Sequence, residues 1–437
     1  MALLIALQHL LAVFGAVMAP PLILAHGMAL PLAETSYLVS ASLFISGVAT
    51  LVQVHRIGPL GSGLLSIQGT SFTFIGPLLA LYFLPREDGT SQQALGVLLG
   101  SCAVCALIVG VCVQFVQRLR LVITTNVTGT AVILIGATLV TTTLQNLWRE
   151  SAAFARAGDS PWLVPLLATA VLGITLVLSR QRNRYLRIAS VTAGLLGGFV
   201  ISLLCGLVDF SRLEELEPFF VPEFNHFPLA VDAGVVAVLL PVFFISAVET
   251  MGDLTATSRL SGFTVGSPGY WQRLRGGLSG DAFNSFLAAL FGSFPNTSFS
   301  QNNGVIRLTG VCSPYVGRYV AVGLCLLGLV PLAGGLFIAI PAAVVYGATL
   351  LMFSMVLLAG IGIVRDGEAG VKHWPTVVIS VIAGLGVSAL VKHFPLLPER
   401  LAALLQFPIS TGAVIAILIE AARRLLPSAD AVPVGSD

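Results

Sequence analysis

Apolar stretches of roughly 17–25 residues, each long enough to cross a ~30 Å hydrocarbon core, recur from one end of the chain to the other. In the first half they run near Leu3–Ala25, Ser36–Val54, Gly61–Leu84, Ala94–Val116, Leu121–Thr143, Trp162–Leu178 and Ile188–Val208. The series continues near Leu229–Met251, Leu278–Phe294, Thr297–Thr309, Tyr319–Ile340, Ala343–Val364, Thr376–Val391 and Ile409–Ala422. Those are fourteen segments, of which Thr297–Thr309 is too short and polar to be a full helix. Charged residues make up 10% of the chain and mean hydropathy is +0.95, whereas a soluble domain carries about 25% charged residues to wet its surface. The expected fold is therefore an all-α integral membrane protein, with lipid as the solvent for most of its surface.

The remaining composition narrows the class further. A net charge of +2 and the lack of any basic run give no sign of a nucleic-acid partner. All six cysteines fall in or beside apolar segments. Cys102 and Cys105 have C-x-x-C spacing, but on a membrane helix that spacing reads as packing before redox or metal chemistry. No H-E-x-x-H, G-x-S-x-G or metal-ligand cluster is present, so an intramembrane enzyme finds no support. The first segment lacks a basic stretch before it and reads as a retained helix, not a removable leader. With the N-terminus cytoplasmic, fifteen Lys and Arg fall in inner segments and six in outer loops, Arg307 being set aside within a segment. The positive-inside rule then places both termini in the cytoplasm and favours an even number of crossings. The outer loop carrying Glu214, Glu215, Glu217 and Glu223 reads as solvated.

Three acids sit where acids are expensive. Carrying a carboxylate to the bilayer centre costs about 2.5–3.5 kcal/mol on insertion scales, so Glu249, Asp253 and Asp281 are expected to pair, face water or act. Glu249 and Asp253 are four apart and share a helix face. Capping a helix or pairing with a nearby arginine is the plainer reading, most open for Asp253 and least for Glu249, which follows the apolar run Val242–Val248. His9 is the one histidine deep in an apolar segment; a hydrogen bond to a neighbour is its plain reading and a gating role the alternative.

Two segments break the helical pattern, Gly61–Phe72 and Phe294–Gly304, both rich in glycine, hydroxyl and amide residues. Non-helical backbone at membrane depth needs protein or a wet cavity around it, and paired breaks in corresponding halves mark a midplane binding site in secondary transporters. Gly69-Thr-Ser-Phe72 and Asn296-Thr-Ser-Phe299 echo each other at the third and tenth segments, the same place in each seven-segment half. An odd number of spans per half inverts the second repeat. We expect repeats at 1–208 and 209–425, followed by a short tail at 426–437.

Gln301-Asn302-Asn303-Gly304-Val305-Ile306-Arg307-Leu308-Thr309-Gly310 resembles the signature of the nucleobase–ascorbate transporter family: Gln, Glu or Pro, then Asn-x-Gly, four free positions, Thr, and Arg, Lys or Gly. Gln8-His9, Glu249-Thr-Met-Gly-Asp253 and Arg275-Gly-Gly-Leu-Ser-Gly-Asp281 look like further family landmarks in the expected order. The resemblance covers nearly the whole chain. It implies fourteen spans in two inverted repeats of seven, a core and a gate domain, short antiparallel strands in segments three and ten, a homodimer, and proton-coupled uptake of a nucleobase across a bacterial-type cytoplasmic membrane without a cofactor. No residue excludes sodium coupling. Gln301 resembles the xanthine and uric acid branch, where uracil permeases tend to carry Glu. Gly69-Thr-Ser-Phe72 is similar to fungal uric acid–xanthine permeases, and xanthine permeases of enteric bacteria often have Asn at the place of Ser71, so the preferred purine stays open.

On that reading Glu249 accepts two ring N–H groups, Gln301 offers a carbonyl and an amide, Phe72 stacks on the ring, and backbone groups freed at Ser71 and Ser300 complete the rim. Asn302, Gly304, Asp253 and Thr309 are expected to support the site, with Asn302 bracing the break. Proton coupling is assigned to Glu249 and then Asp281, with His9 in gating or affinity. An anion transporter of related architecture is the other class, since exposed helix N-termini suit anions; Glu249 at the site argues against it. Arg307 at a free position suggests a cytoplasmic-side ion pair.

Overall fold

The structure is a computed structural model and describes residues 2–83, 90–115, 124–158, 160–183, 186–187, 189–208, 218–299, 301–365, 374–391, 405 and 407–425. Ser300, Glu214, Glu215, Glu217 and the tail 426–437 lie outside the described residues. The chain is mostly helical: α1 (Ala2–Gly27), α2 (Leu32–His55), α3 (Ile75–Tyr82), α4 (Ser91–Cys112), α5 (Thr125–Ala157), α6 (Leu163–Ser179) and α7 (Ser190–Leu204) come first. There follow α8 (Ala233–Leu260), α9 (Pro268–Leu290), α10 (Gln301–Thr309), α11 (Pro314–Leu329), α12 (Pro331–Ile338), α13 (Ala342–Arg365), α14 (Trp374–Leu390) and α15 (Pro408–Leu425). Two strands, β1 (Gln68–Thr70) and β2 (Asn296–Ser298), precede α3 and α10. Among the described residues six helices are long and apolar enough to cross a membrane by length and composition, and five shorter ones are apolar.

Local chemistry sets the helix boundaries. The side chain of Asp232 accepts the Val235 N–H at 2.8 Å to start α8. Ser267 does the same for Tyr270 at 3.2 Å, and Pro268 takes the first position of α9, where a missing N–H is harmless. This moves three expectations. The ninth segment begins at Pro268, ten residues before Leu278, so Asp281 lies inside α9 and cannot cap it. The eleventh segment is two helices, broken at Val330–Pro331. Glu34, outside the apolar stretch Ser36–Val54, is buried in the first turn of α2 and accepts a 2.8 Å hydrogen bond from Ser91.

The chain forms two compact units, 1–116 with 137–355, and 117–136 with 356–437. Two of their boundaries fall within α5 and α13. In the smaller unit α14 crosses α15 where Gly384 meets Gly412. Ile133, Val364 and Val377 form its apolar centre, and Asn126 Nδ2 donates to Glu420 at 2.7 Å. The larger unit holds both strands. β1 and β2 pair antiparallel in the register Gln68↔Ser298, Gly69↔Thr297, Thr70↔Asn296. The two breaks therefore meet, although their residues lie over 220 positions apart in sequence.

Candidate functional site

A two-stranded ribbon inside a membrane leaves two open edges, and in hydrocarbon each unpaired backbone group is costly. Here side chains of the neighbouring helices close them. Thr50 on α2 accepts the Gln68 N–H at 3.0 Å, and Ser285 on α9 bonds both the N–H and the carbonyl of Asn296 at 3.0 and 3.1 Å. The main chain extends the pairing outward: Ser71 N–H reaches Pro295 O and Phe299 N–H reaches Ile67 O, both at 2.9 Å. The approach to β1 is held by Gln53, whose Oε1 accepts the Ser62 N–H at 2.9 Å, and by Arg273, which donates to the Ser62 and Gly63 carbonyls at 2.9 and 3.0 Å. Gly276 permits this approach, because a Cβ there would lie 2.4 Å from the Gly61 oxygen.

From the ribbon two half-helices depart, one through a 3-10 turn at Phe72–Phe74 into α3, the other α10. Their N-terminal ends, the positive ends of their helix dipoles, both start at the strand pair. Glu249, in the middle of α8, is held against the first of them: Thr73 Oγ1 donates to Glu249 Oε2 at 2.8 Å. Among the described residues no donor reaches the other carboxylate oxygen. Phe72 lies 6.2 Å from Phe299 and packs edge-on against Phe353 at 5.4 Å, both distances between ring centroids. Gln301 opens α10 two residues beyond Phe299, and its side-chain oxygen is buried without a partner among the described residues. The sequence candidates Glu249, Phe72 and Gln301 thus stand around one strand pair.

Ser71 serves the protein first. Its hydroxyl accepts the Thr73 N–H at 3.3 Å and its amide is committed to Pro295, so that amide is not free to complete a rim. Asn302 donates to the Leu65 carbonyl, which fixes its orientation, and its oxygen then accepts from His9 Nδ1 at 2.8 Å. His9 is fully buried and ties α1 to the break; its Nε2 has no partner among the described residues. Gly304 is exposed and Thr309 returns its hydroxyl to the Val305 carbonyl at 2.9 Å, closing α10 on itself. Arg307 is exposed and makes no ion pair among the described residues, so the cytoplasmic-side pair expected of it is absent there.

The other two acids complete a cluster. Asp281 is buried; Thr250 donates to one of its oxygens and Gln53 to the other. Because the Thr250 proton goes to Asp281, Thr297 on β2 must donate to Thr250, at 3.0 Å. Asp281 is thereby linked to the strand pair through the Thr250 hydroxyl, and the Gln68 side chain on β1 and the Ser298 backbone on β2 also hydrogen-bond its carboxylate. Asp253 lies one turn beyond Glu249, within electrostatic reach of both Glu249 and Asp281. It caps nothing, and among the described residues no hydrogen bond or ion pair reaches its carboxylate. Asn303 anchors α10 to α8 by accepting from Thr257 at 2.6 Å. Sequence reasoning missed Gln53, Thr73, Thr250 and Asn303. Gln53 carried a signal as an amide near the end of an apolar span, and Thr250 and Asn303 stood within quoted motifs without a role of their own.

The family model Xan_ur_permease, described as a permease family, matches residues 1–393. The chain belongs to this family. A permease moves a solute and is not an enzyme, in keeping with a site of hydrogen-bonding groups around a broken pair of helices. The chain is 38% identical to the xanthine permease XanP of Escherichia coli (strain K12) over 421 residues, 95% of this chain and 90% of that protein. The xanthine permease XanQ of the same strain is 37% identical over 417 residues, 95% of this chain and 89% of that one. In fold the permease is similar to the transmembrane domain of a cyanobacterial bicarbonate transporter, BicA, with a TM-score of 0.56 at 15% identity, covering 94% and 95% of the two chains. It is also similar to the murine anion transporter Slc26a9 in its inward-facing state, TM-score 0.56 at 14% identity, covering 97% and 68%. At such identities the likeness is one of fold and says nothing of cargo.

Proposed function

We propose that this permease takes up an oxidised purine base, xanthine and/or uric acid, across a bacterial-type cytoplasmic membrane by alternating access coupled to protons. The observation that carries this reading is the meeting of the two breaks with Glu249 and Gln301 beside them, in a chain whose relatives include xanthine permeases. An oxidised purine is flat and edged with N–H and C=O groups. The Glu249 oxygen that Thr73 does not hold accepts a ring N–H, the buried Gln301 oxygen accepts another, and the Gln301 amide donates to a ring carbonyl. Phe72 supplies an apolar face.

The same reading takes the fourteen sequence segments as two inverted repeats of seven, forming a core and a gate, in a homodimer with cytoplasmic termini. Coupling follows from the three clustered acids. A carboxyl group in a dry site exchanges its proton when an opposing hydrogen-bond donor arrives or leaves, which ties loading to protonation. Neither a metal nor an organic cofactor is required.

Uptake of radiolabelled xanthine, uric acid and uracil into energised vesicles from cells lacking their own permeases tests the proposal. Xanthine or uric acid accumulates, a protonophore abolishes accumulation while downhill exchange persists, and replacing sodium by choline changes nothing. Accumulation that follows the sodium gradient and survives the protonophore would overturn the coupling; uptake of uracil alone would overturn the substrate.

A further inference from the structure

Beside the strand pair runs a line of buried polar groups that substrate recognition does not use. On α2, Ser42, Ser46, Thr50 and Gln53 fall on one helix face, and all four are fully buried. α9 runs antiparallel to them and contributes Asp281, Asn284 and, just past its end, Ser293. The rungs are specific: Ser42 Oγ lies 3.0 Å from Ser293 Oγ, Asn284 Nδ2 donates to the Ala49 carbonyl at 3.2 Å, and Gln53 donates to Asp281. At 1.5 Å per residue the line from Ser42 to Gln53 is about 16 Å long. It starts under Tyr37, which packs against Gly292, and ends at the Asp281 carboxylate.

Five side-chain atoms along this seam are buried and have no partner among the described residues: Gln68 Oε1, Thr70 Oγ1, Asn284 Oδ1, and both Oδ1 and Nδ2 of Asn296. Thr70 and Asn296 are cross-strand neighbours, and Gln68 shares their face of the ribbon. Buried polar groups in native proteins are almost always hydrogen-bonded, and a cluster of orphans marks the place of ordered water.

We propose that this seam holds a file of water that carries protons between the outer end at Ser42 and Ser293 and the Asp281 carboxylate, by a route that bypasses Glu249 and Gln301. The inference rests on the proton-coupled reading above. The amides of Gln68, Asn284 and Asn296 anchor the waters and relay nothing themselves. Each water, and each hydroxyl of Ser42, Thr50 and Thr70, accepts one proton and releases another. One proton enters at the outer end, one arrives on Asp281, and the relay groups are unchanged. Gln53 and Thr250 hold the receiving oxygens, and Asp253 is the neighbouring acid that feels the added charge.

Asn284→Leu keeps the branching and heavy-atom count of the side chain and removes the anchor. In vesicles with an imposed proton gradient, its accumulation of labelled xanthine should fall about tenfold or more, because water has lost its polar partners there. Counterflow of labelled xanthine into xanthine-loaded vesicles needs no net proton movement and should stay near wild type, and Asn284→Ser should recover accumulation. Normal accumulation in Asn284→Leu overturns the route, as does an equal loss of accumulation and counterflow. Independently of any variant, a high-resolution structure of the unaltered protein in lipid should show water on the orphan groups; a dry seam overturns the proposal. If unaltered protein accumulates xanthine on sodium instead, it is the coupling that has failed and not this route alone.

Discussion

Glu249 is held on one oxygen by Thr73, and among the described residues no donor reaches the other, which leaves it able to take a donor from a ligand. Glu249→Gln puts an amide donor where an acceptor is needed, and an unmatched buried polar group costs about 1–3 kcal/mol. Uptake should fall by about an order of magnitude or more with the protein still in the membrane, while Glu223→Gln, at an exposed loop carboxylate, should change little. Uptake by Glu249→Gln within about twofold of wild type would sink the assignment. Gln301→Glu should weaken competition by xanthine and uric acid by several-fold relative to uracil, by the same penalty of about 1–3 kcal/mol; an unchanged competition profile refutes a selectivity role. Glu249 and Asp281 were legible in the sequence because an acid in an apolar span stands out. Their partners were not. Thr143, Thr175 and Thr255 bond the carbonyl one turn back in their own helices, whereas Thr73 and Thr250 serve carboxylates on other elements. A threonine in an apolar run looks the same in both roles.

At the scale of elements, the strand pair depends on close contact as well as hydrogen bonds. A Cβ on Gly69 would fall 2.2 Å from the Phe299 ring, so Gly69→Ala must displace either the ring or the strand. We expect Gly69→Ala to reach the membrane but to lose most uptake, and Phe299→Ala in the same chain to restore part of it. Uptake by the single variant equal to wild type would show that the ring moves freely. The echo of Gly69–Phe72 with Asn296–Phe299 pointed to the two breaks but not to their register. Antiparallel pairing sets Gly69 against Thr297 and Thr70 against Asn296, so the matched residues of the echo do not face one another. The start of α9 was misplaced for a physical reason too. Its first turns set Arg273 and Arg275 among Tyr270, Trp271 and Leu274, which interrupts the apolar run, and the Ser267–Pro268 cap marks the true start.

At the scale of the whole molecule, the larger unit draws on both halves of the sequence, and so does the smaller. A hydropathy reading finds which stretches are apolar enough to be buried or to face lipid but is blind to which of them pack together. The proposed orientation is open to direct measurement. In a chain with its six cysteines replaced, a single cysteine at exposed Glu223 should react with an impermeant maleimide added to intact cells. One at exposed Arg182 should react only after the membrane is permeabilised. The reverse pattern would turn the topology over.

The strand pair also fixes a schedule for making the protein. Gln68 and its partner Ser298 are 230 residues apart, and ribosomes add about 5–20 residues per second. For on the order of tens of seconds each nascent chain therefore carries β1 into the membrane before β2 has been synthesised. During that interval the strand's pairing edge has no mate, and a chain released early ends without the ribbon around which the site is built. A ribosome stalled anywhere before Asn296 therefore leaves a chain with β1 and no mate for it, so the site's framework is among the later parts of the molecule to be completed.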